Sequence, residues 1–221
     1  MKSILIVDDH AIVRYGTMQI LKQQLPGVHV SDAADLDQMI KCLHVHQFEL
    51  LILDINIPGG NNLQMIDIVK LRQPDIKILI FSGYDEHLYA LRYLQSGADG
   101  YLTKHSSETD LKTAIHVIMN NDKYISPAIK DELLKGVDNN NKTQASHNPL
   151  SSLSNREMEV MQSLVNGLTI SEISITLNLQ VSTVSTYKHR IFEKLEISNI
   201  VELVEKARAF NNKSYPLRPT G

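Results

Sequence analysis

The sequence predicts two domains of different class: an α/β domain built on a doubly wound, five-stranded parallel sheet, and a smaller all-α domain of four helices. Short apolar runs alternate five times with segments of helical periodicity over about the first 120 residues, which is typical of a parallel sheet. A polar, amide-rich stretch follows at 136–149 and is typical of a flexible linker. Two capping-box patterns beyond the linker mark the starts of helices.

Five apolar runs predict the strands, and they lie at residues 4–7, 28–33, 50–53, 76–81 and 101–102. The runs at 4–7 and 50–53 are uninterrupted, as expected of strands that are buried on both faces. Apolar residues spaced three and four apart predict a helix after each strand, with Asp35 and Ser107 at the starts of two of these helices. The first strand–helix turn carries acids instead of Gly-x-Gly-x-x-Gly, which argues against a dinucleotide site.

Composition indicates a globular protein with no membrane segment. The 221 residues are 43% hydrophobic with a formal net charge of -3, which is unlike a disordered chain. Residues 1–150 carry 14 Lys and Arg against 18 Asp and Glu, and residues 151–221 carry 8 against 7. This asymmetry is too small to establish a nucleic-acid partner by itself. One cysteine, a short apolar start and no run near the roughly 20 apolar residues of a membrane helix predict a cytoplasmic protein.

Polar side chains follow four of the predicted strands. They are Asp8 and Asp9 after the first strand, Asp54 after the third, Ser82 after the fourth and Lys104 after the fifth. Because the carboxyl ends of parallel strands meet at one edge of a sheet, we expect these groups to converge. Carboxylates suit Mg²⁺, and an Asp can accept a phosphoryl group whose oxygens a hydroxyl and an ammonium would bind. Each residue alone could be a helix cap or a surface ion-pair partner, but the five together favour a site.

The motifs at these strand ends resemble the CheY-like receiver domain of response regulators, and their details resemble the NarL/FixJ family. The matching segments are Val-Asp-Asp-His at 7–10, Leu-Asp-Ile-Asn-Ile-Pro-Gly at 53–59, Phe-Ser-Gly at 81–83 and Gly-Tyr-Leu-Thr-Lys at 100–104. All four occur in the order and spacing of the family. The resemblance implies that Asp54 is the phosphoacceptor.

The same resemblance implies a role for each neighbouring residue. Mg²⁺ is bound directly by Asp9, Asp54 and the backbone carbonyl of Asn56, and by Asp8 through a metal-bound water. The phosphoryl group is bound by Ser82 and Lys104, and Tyr101 is the switch residue. A tyrosine in a short strand is also often simply half-buried, so the role of Tyr101 has a plain alternative.

Four helices with short connections are predicted after the linker. Ser154-Asn-Arg-Glu157 and Thr169-Ile-Ser-Glu172 are capping boxes that open the first two. A tight turn at 178–180 leads to a third helix at about 181–195, and the last helix covers 200–210. Two helices joined by a tight turn suggest a helix-turn-helix. The third helix has an apolar face, formed by Val184, Tyr187, Ile191 and Leu195, and a polar face that could contact DNA or merely solvent.

Long segments of this second domain resemble the LuxR-type DNA-binding domain, namely Leu153 to Val160, Ser171-Glu-Ile and Val181 to Leu195. The resemblance implies that the third helix enters the major groove of double-stranded DNA. The implied DNA-contacting residues are Ser182, Thr183, Ser185, Thr186, Lys188, His189, Arg190 and Lys194. Ser185, Thr186 and His189 are expected to contact bases, and the three cations are expected to contact phosphates.

The sequence thus predicts a cytoplasmic two-component response regulator rather than a metabolic enzyme. A sensor histidine kinase would phosphorylate Asp54, and phosphorylation would control sequence-specific DNA binding and transcription. The predicted divisions are a receiver domain at 1–121, a short helix and linker at 122–149, a DNA-binding domain at 150–211 and a tail at 212–221. The small positive charge of the second domain predicts weak binding by a monomer, so we expect a dimer on two half-sites. Val201, Val204 and Ala207 are its candidate surface.

Two alternatives stay open at this point. The receiver could mediate only partner contacts, with DNA binding independent of phosphorylation. The chain could also be an aspartate-nucleophile phosphatase. That enzyme would need a second carboxylate two residues after the nucleophile, where this sequence has Asn56.

Overall fold

The computed structural model describes residues 2–60, 63–127, 129–131 and 149–214. The chain separates into two compact units, residues 1–138 and 139–221. Residues 136–148 of the predicted linker and 215–221 of the predicted tail lie outside the described part. Among the described residues, no helix combines the length and the apolar composition that crossing a bilayer requires.

The first unit is a five-stranded parallel sheet with flanking helices, as predicted. Its strands are β1 (Ser3–Val7), β2 (His29–Ala33), β3 (Leu50–Leu53), β4 (Lys77–Ser82) and β5 (Gly100–Thr103). The strand order is β2-β1-β3-β4-β5, and every neighbouring pair is parallel. The chain therefore reverses its direction of winding beside β1 and β3, where sheets of this kind bind ligands.

Five helices alternate with these strands, and they are α1 (Ala11–Gln24), α2 (Leu36–Val45), α3 (Gln64–Arg72), α4 (Glu86–Gln95) and α5 (Glu108–Met119). Asp35 caps α2 by accepting a hydrogen bond from the Gln38 N–H. Ser107 and Asp110 form a capping box at the start of α5. Side-chain oxygens at these positions satisfy N–H groups that have no partner within the helix, so both helices begin where the sequence predicts.

The centre of the sheet is buried on both faces. Each residue of β3 is at most 1% exposed, which explains its uninterrupted apolar sequence. On one face, Ile6 and Ile52 belong to a core that includes Leu21 of α1 and Ile115 of α5. Because the strands cannot shift without exposing this core, the residues that follow β1 and β3 are held in fixed positions.

The chain continues to pack on the sheet after α5. Tyr124 forms a parallel bridge with Gly100 at the edge of β5, and it is only 8% exposed. Its N–H donates to the Asp99 carbonyl at 2.9 Å, and its carbonyl accepts from the Tyr101 N–H at 3.4 Å. Residues 127 and 129–131 are helical and belong to the predicted short helix, whose remaining residues lie outside the described part.

The second unit consists of a 3-10 turn at Pro149–Ser152 and four helices, as predicted. The helices are α6 (Asn155–Val165), α7 (Ile170–Thr176), α8 (Val181–Leu195) and α9 (Ile200–Ser214). Both predicted capping boxes are formed, at Ser154 and Thr169. α8 packs on α6 and α7. α9 continues four residues beyond its predicted end at Phe210. The predicted start of the tail at residue 212 stays a prediction.

We predict that Gly100→Ala destabilises the first unit. A Cβ at Gly100 would lie 2.8 Å from Ile118 Cδ1 and 3.1 Å from both Cβ and the carbonyl oxygen of Tyr124. The overlap should lower the free energy of unfolding by about 1–3 kcal/mol, measured by scanning calorimetry.

Gly16→Ala is the matched control, because a Cβ at this helical glycine meets nothing within 4 Å. It should stabilise the same unit by about 0.5–1 kcal/mol. Equal melting temperatures for Gly100→Ala and the unsubstituted protein would contradict the packing described here.

Candidate functional site

Asp54 is a nearly buried carboxylate at the end of the central strand. Its backbone N–H donates to the Val7 carbonyl at 2.8 Å, so the hydrogen bonds between β1 and β3 extend to this residue. Its side chain is 5% exposed. The Asn56 N–H approaches Oδ1 at 3.3 Å. The sheet therefore fixes the backbone of Asp54 and leaves the carboxylate at its carboxyl edge.

Asp8 and Asp9 lie beside Asp54, as the strand order requires. The Asp8 side chain is 3% exposed, and that of Asp9 is 33% exposed. Asp8 Oδ1 accepts a hydrogen bond from the His10 N–H at 2.8 Å, and the Asp9 carboxylate contacts His10 Nδ1 at 2.6 Å. One ligand atom from each of Asp8, Asp9, His10 and Asp54 lies within 4.8 Å of the others. His10 was quoted in the sequence motif, but no role was predicted for it.

The carboxylate oxygens of Asp8, Asp9 and Asp54 fit a divalent cation such as Mg²⁺. Carboxylate oxygens are its preferred protein ligands, and oxygens on opposite sides of an octahedral Mg²⁺ are about 4 Å apart. The mutual distances in the Asp8, Asp9 and Asp54 group have this scale. The predicted direct and water-mediated roles of these residues, and the role of the Asn56 carbonyl, stay predictions.

Lys104 connects two of the carboxylates. Its Nζ lies 2.8 Å from Asp54 Oδ2 and 2.6 Å from Asp8 Oδ2. Its backbone N–H donates to the Ser82 carbonyl at 2.8 Å, which positions it at the same edge of the sheet. Burial disfavours the charged amine, but hydrogen bonds to Asp54 and Asp8 outweigh burial and raise the pKa of Lys104. Lys104 is therefore a cation across the neutral pH range.

Ser82 and Tyr101 come from the two strands beyond β3. The Ser82 side chain is buried at the end of β4, and its Oγ lies 3.4 Å from the Tyr84 N–H. Tyr101 is 0% exposed, and its hydroxyl donates to the Tyr84 carbonyl at 3.1 Å. Burial raises the pKa of Tyr101 well above its usual value, so the hydroxyl stays protonated. Tyr101 is therefore fully buried rather than half-buried, and its role as the switch stays a prediction. Both Ser82 and Tyr101 contact the backbone of Tyr84.

The second unit exposes a polar face on α8, as predicted. Val184, Ile191 and Leu195 are buried, whereas Tyr187 is only half-buried. The exposed side chains on the opposite face are Ser182, Ser185, Thr186, His189, Arg190 and Glu193. Thr183 and Lys188 are half-buried, and Lys188 Nζ lies 5.4 Å from the centre of the Phe192 ring.

Lys194 has a partner within its own domain, which sequence reasoning missed. Its Nζ lies 2.7 Å from Glu157 Oε2 and 3.2 Å from the Ser152 carbonyl. The Glu157 side chain is 4% exposed. Burial alone would raise the pKa of Glu157, but the Lys194 ammonium and the Ser154 N–H and hydroxyl lower it. The predicted contact of Lys194 with phosphate is untested, and this ion pair gives the residue a role in joining α8 to α6.

Two family models match these units. One, described as the response regulator receiver domain, matches residues 4–116. The other, described as bacterial regulatory proteins of the luxR family, matches residues 151–207. The chain belongs to the NarL/FixJ family of response regulators. The resemblance inferred from the strand-end motifs and from the third helix of the second domain is confirmed.

Curated relatives of this response regulator match over nearly its whole length. The oxygen regulatory protein NreC of Staphylococcus carnosus is 35% identical over 208 residues, covering 92% of this chain and 95% of the relative. The response regulator GacA of Pseudomonas aeruginosa is 34% identical over 205 residues, covering 92% and 94%. A solved structure of RcsB from Salmonella enterica has a TM-score of 0.72 at 23% identity, covering 93% and 97%, and supports the fold.

We predict that Lys194→Met destabilises the second unit in the absence of DNA, because it leaves the Glu157 carboxylate without its cation. Since the Lys194 side chain is 40% exposed, solvent screening should limit the loss to about 1–2 kcal/mol. Arg190→Met, at an exposed position on the same helix, should leave the unfolding free energy unchanged.

The stability that Lys194→Met loses should be larger at neutral pH than in acid. A carboxylate whose pKa is lowered on folding stabilises the folded state above its unfolded pKa of about 4.3, and this contribution is lost as pH falls through the folded pKa. Urea denaturation of the two variants at pH 7 and in acid measures this. A Lys194→Met effect that is the same at both pH values would contradict the ion pair.

Proposed function

We propose that a sensor histidine kinase phosphorylates Asp54 of this response regulator, and that phosphorylation controls sequence-specific DNA binding and transcription. The observation that carries the proposal is the position of Asp54. It is a buried carboxylate contacted by Lys104 Nζ and grouped with Asp8 and Asp9. This combination of a nucleophile, a cation and metal-binding oxygens is what phosphoryl transfer to an aspartate requires.

In the transfer step, a carboxylate oxygen of Asp54 attacks the phosphorus of a phosphohistidine. The new O–P bond forms as the P–N bond breaks, and the imidazole leaves as the product. Asp8, Asp9, Asp54 and the Asn56 carbonyl would hold Mg²⁺, which neutralises charge on the phosphoryl oxygens when bound. Lys104 Nζ already lies 2.8 Å from Asp54, so it can follow the negative charge onto the transferred group. The Ser82 hydroxyl would bind another phosphoryl oxygen.

Phosphorylation would also change contacts around Tyr84. The Ser82 hydroxyl that would bind the phosphoryl group now lies near the Tyr84 N–H, and the Tyr101 hydroxyl bonds to the Tyr84 carbonyl. Movement of Ser82 toward Asp54 would therefore disturb a loop that Tyr101 also contacts. This arrangement supports Tyr101 as the switch residue, whose two positions phosphorylation would bias.

The output of the switch is proposed to be the polar face of α8. Ser185 and Thr186 donate their hydroxyls to the helix carbonyls of Val181 and Ser182, each at 3.0 Å, and their oxygens can still accept from bases. By helical periodicity His189 lies between Ser185 and Thr186 on this face, and Arg190 flanks it. RcsB structures include a complex with DNA and two dimers on two parallel DNAs, which supports double-stranded DNA as the ligand and a dimer as the bound form.

The dimer surface on α9 needs one correction. Val201 is 66% exposed, as a contact surface requires, but Ala207 is only 7% exposed and belongs to the core of the second unit. The Val204 side chain is partly exposed. The proposed surface therefore consists of Val201 and Val204.

Two other functions fit the structure less well. A phosphatase would need a general acid two residues after Asp54, and the Asn56 amide cannot donate a proton in that way. A receiver that served only for partner contacts would have no use for a buried Asp54–Lys104–Asp8 group. We therefore propose that the phosphoryl group is transferred to the protein itself. The transfer would take place in the cytoplasm, where the protein has access to DNA.

We predict that Asp54→Ala abolishes labelling by a small acyl phosphate with Mg²⁺, because the only proposed acceptor oxygen is removed. Intact-mass measurement should show one hydroxylamine-sensitive phosphoryl group on the unsubstituted protein and none on the variant. Asp75→Asn, which removes an exposed carboxylate, should be labelled normally. Labelling of Asp54→Ala would refute the acceptor, and equal DNA affinity with and without donor would favour the phosphorylation-independent alternative.

We predict that two substitutions on α8 affect DNA binding differently. Arg190→Ala should weaken binding to all sequences alike and reduce the salt slope by about 1, because it removes a phosphate contact. His189→Ala should cost about 1–3 kcal/mol and relax the preference at one base pair. Fluorescence anisotropy at several salt concentrations measures both.

Arg156→Ala is the control for these measurements, because Arg156 pairs with Glu159 at 2.6 Å on α6. It should leave the salt slope unchanged. The recognition role of α8 fails if His189→Ala and Arg190→Ala both leave affinity and specificity as they were.

A further inference from the structure

Arg14, in the first turn of α1, binds both the loop after β1 and the neighbouring strand β2. Its Nη1 donates to the Asp8 carbonyl at 2.7 Å, and its Nε donates to Asp32 Oδ2 at 2.9 Å. The Arg14 side chain is 17% exposed, and that of Asp32 is 44% exposed. Asp32 lies on β2, so a single guanidinium connects the loop after β1 to the neighbouring strand.

The Arg14 bridge begins where the strand pairing ends. Val7 pairs with Ala33, the last residue of β2, and the Asp8 N–H still reaches the Ala33 carbonyl at 3.2 Å. The Asp8 carbonyl points beyond this last contact and is bound by Arg14 instead. Since the His10 N–H also holds Asp8 Oδ1, the backbone and the carboxylate of Asp8 are both fixed.

The loop needs this support because it carries like charges. Asp8 and Asp9 are adjacent, and Asp54 lies within reach of both. Mutual repulsion between these carboxylates would push the loop after β1 away from β3. Lys104 offsets part of this repulsion, because it contacts Asp8 and Asp54. Among the described residues, Lys104 forms no ion pair with Asp9 within 4.0 Å. A bridge that holds the Asp8 backbone in place keeps the carboxylates where a cation would need them. Partners of this kind around metal ligands affect metal affinity strongly.

We propose that Arg14, held by Asp32, is a positioning residue that presets the loop after β1 for Mg²⁺ binding. The inference rests on the proposed function, because it takes Asp8 and Asp9 as metal ligands. The guanidinium itself touches neither the phosphoryl group nor Asp54. Arginine is required because its planar fork reaches two acceptors at once, whereas the single ammonium of lysine cannot reproduce both bonds.

The test is calorimetric titration of the full chain with Mg²⁺ alone, for Arg14→Lys, Asp32→Asn and the double variant. Each single substitution should raise the Mg²⁺ Kd about tenfold. The double variant should be no worse than the more impaired single variant, because both residues act through one bridge. Arg72→Lys is the matched control, since Arg72 binds only the Ile68 carbonyl of its own helix in the described contacts.

A second measurement separates positioning from a general loss of structure. The rate of Asp54 labelling by an acyl phosphate should fall at low Mg²⁺ and return to within about twofold of the unsubstituted rate at saturating Mg²⁺, because only the metal-binding step is impaired. Asp32→Asn keeps the size of the side chain, so it tests the bridge even if Arg14→Lys folds poorly.

The outcomes distinguish this inference from the proposed function. An unsubstituted protein that neither binds Mg²⁺ nor is labelled at Asp54 would refute the proposed function. A normal unsubstituted protein with Mg²⁺ Kd values unchanged in both variants would overturn the role of Arg14 alone. A lower labelling rate at saturating Mg²⁺ with an unchanged Kd would also overturn it.

Discussion

The contact of Lys104 with Asp54 and Asp8 is the interaction on which the rest of the site depends. Two nearly buried carboxylates at the ends of adjacent strands would repel each other, and the partly buried amine between them offsets that repulsion. Lys104 can reach both because the Ser82 carbonyl binds its backbone N–H. The site thus exists only when β1, β3, β4 and β5 are paired in register, which makes the chemistry a direct consequence of the sheet.

The parts that the sequence predicted correctly are those set by local chemistry and by strand order. An apolar run that stops at an acid locates Asp54. Because a parallel sheet brings the carboxyl ends of its strands to one edge, the convergence of Asp8, Asp54 and Lys104 could be predicted from the sequence. Capping boxes at Ser154 and Thr169 were visible for the same reason, because each involves residues only three positions apart.

The parts that were missed depend on contacts between distant residues. Lys194 lies on the edge of the polar face of α8 by periodicity, which suggested phosphate, but its ammonium bonds Glu157 from a helix 37 residues earlier. In the sequence, Arg14 is simply one polar residue of the predicted helix α1. Its contact with Asp32 depends on the pairing of β1 with β2, which brings the two residues together. The long side chains of Lys and Arg can reach partners on other elements, and helical periodicity does not reveal such contacts. Ala207 was misplaced because the packing of α9 cannot be derived from its own periodicity.

Tyr101 contacts both the loop after β4 and the segment after α5. Its hydroxyl contacts the Tyr84 carbonyl, beside the Ser82 hydroxyl, and its backbone N–H donates to the Tyr124 carbonyl. Tyr124 in turn precedes the helical residues that lead toward the linker. A buried side chain cannot shift by a small amount without moving its neighbours, because protein interiors are close-packed. Tyr101 therefore joins the loop after β4 and the segment after α5 in one packed part of the first unit.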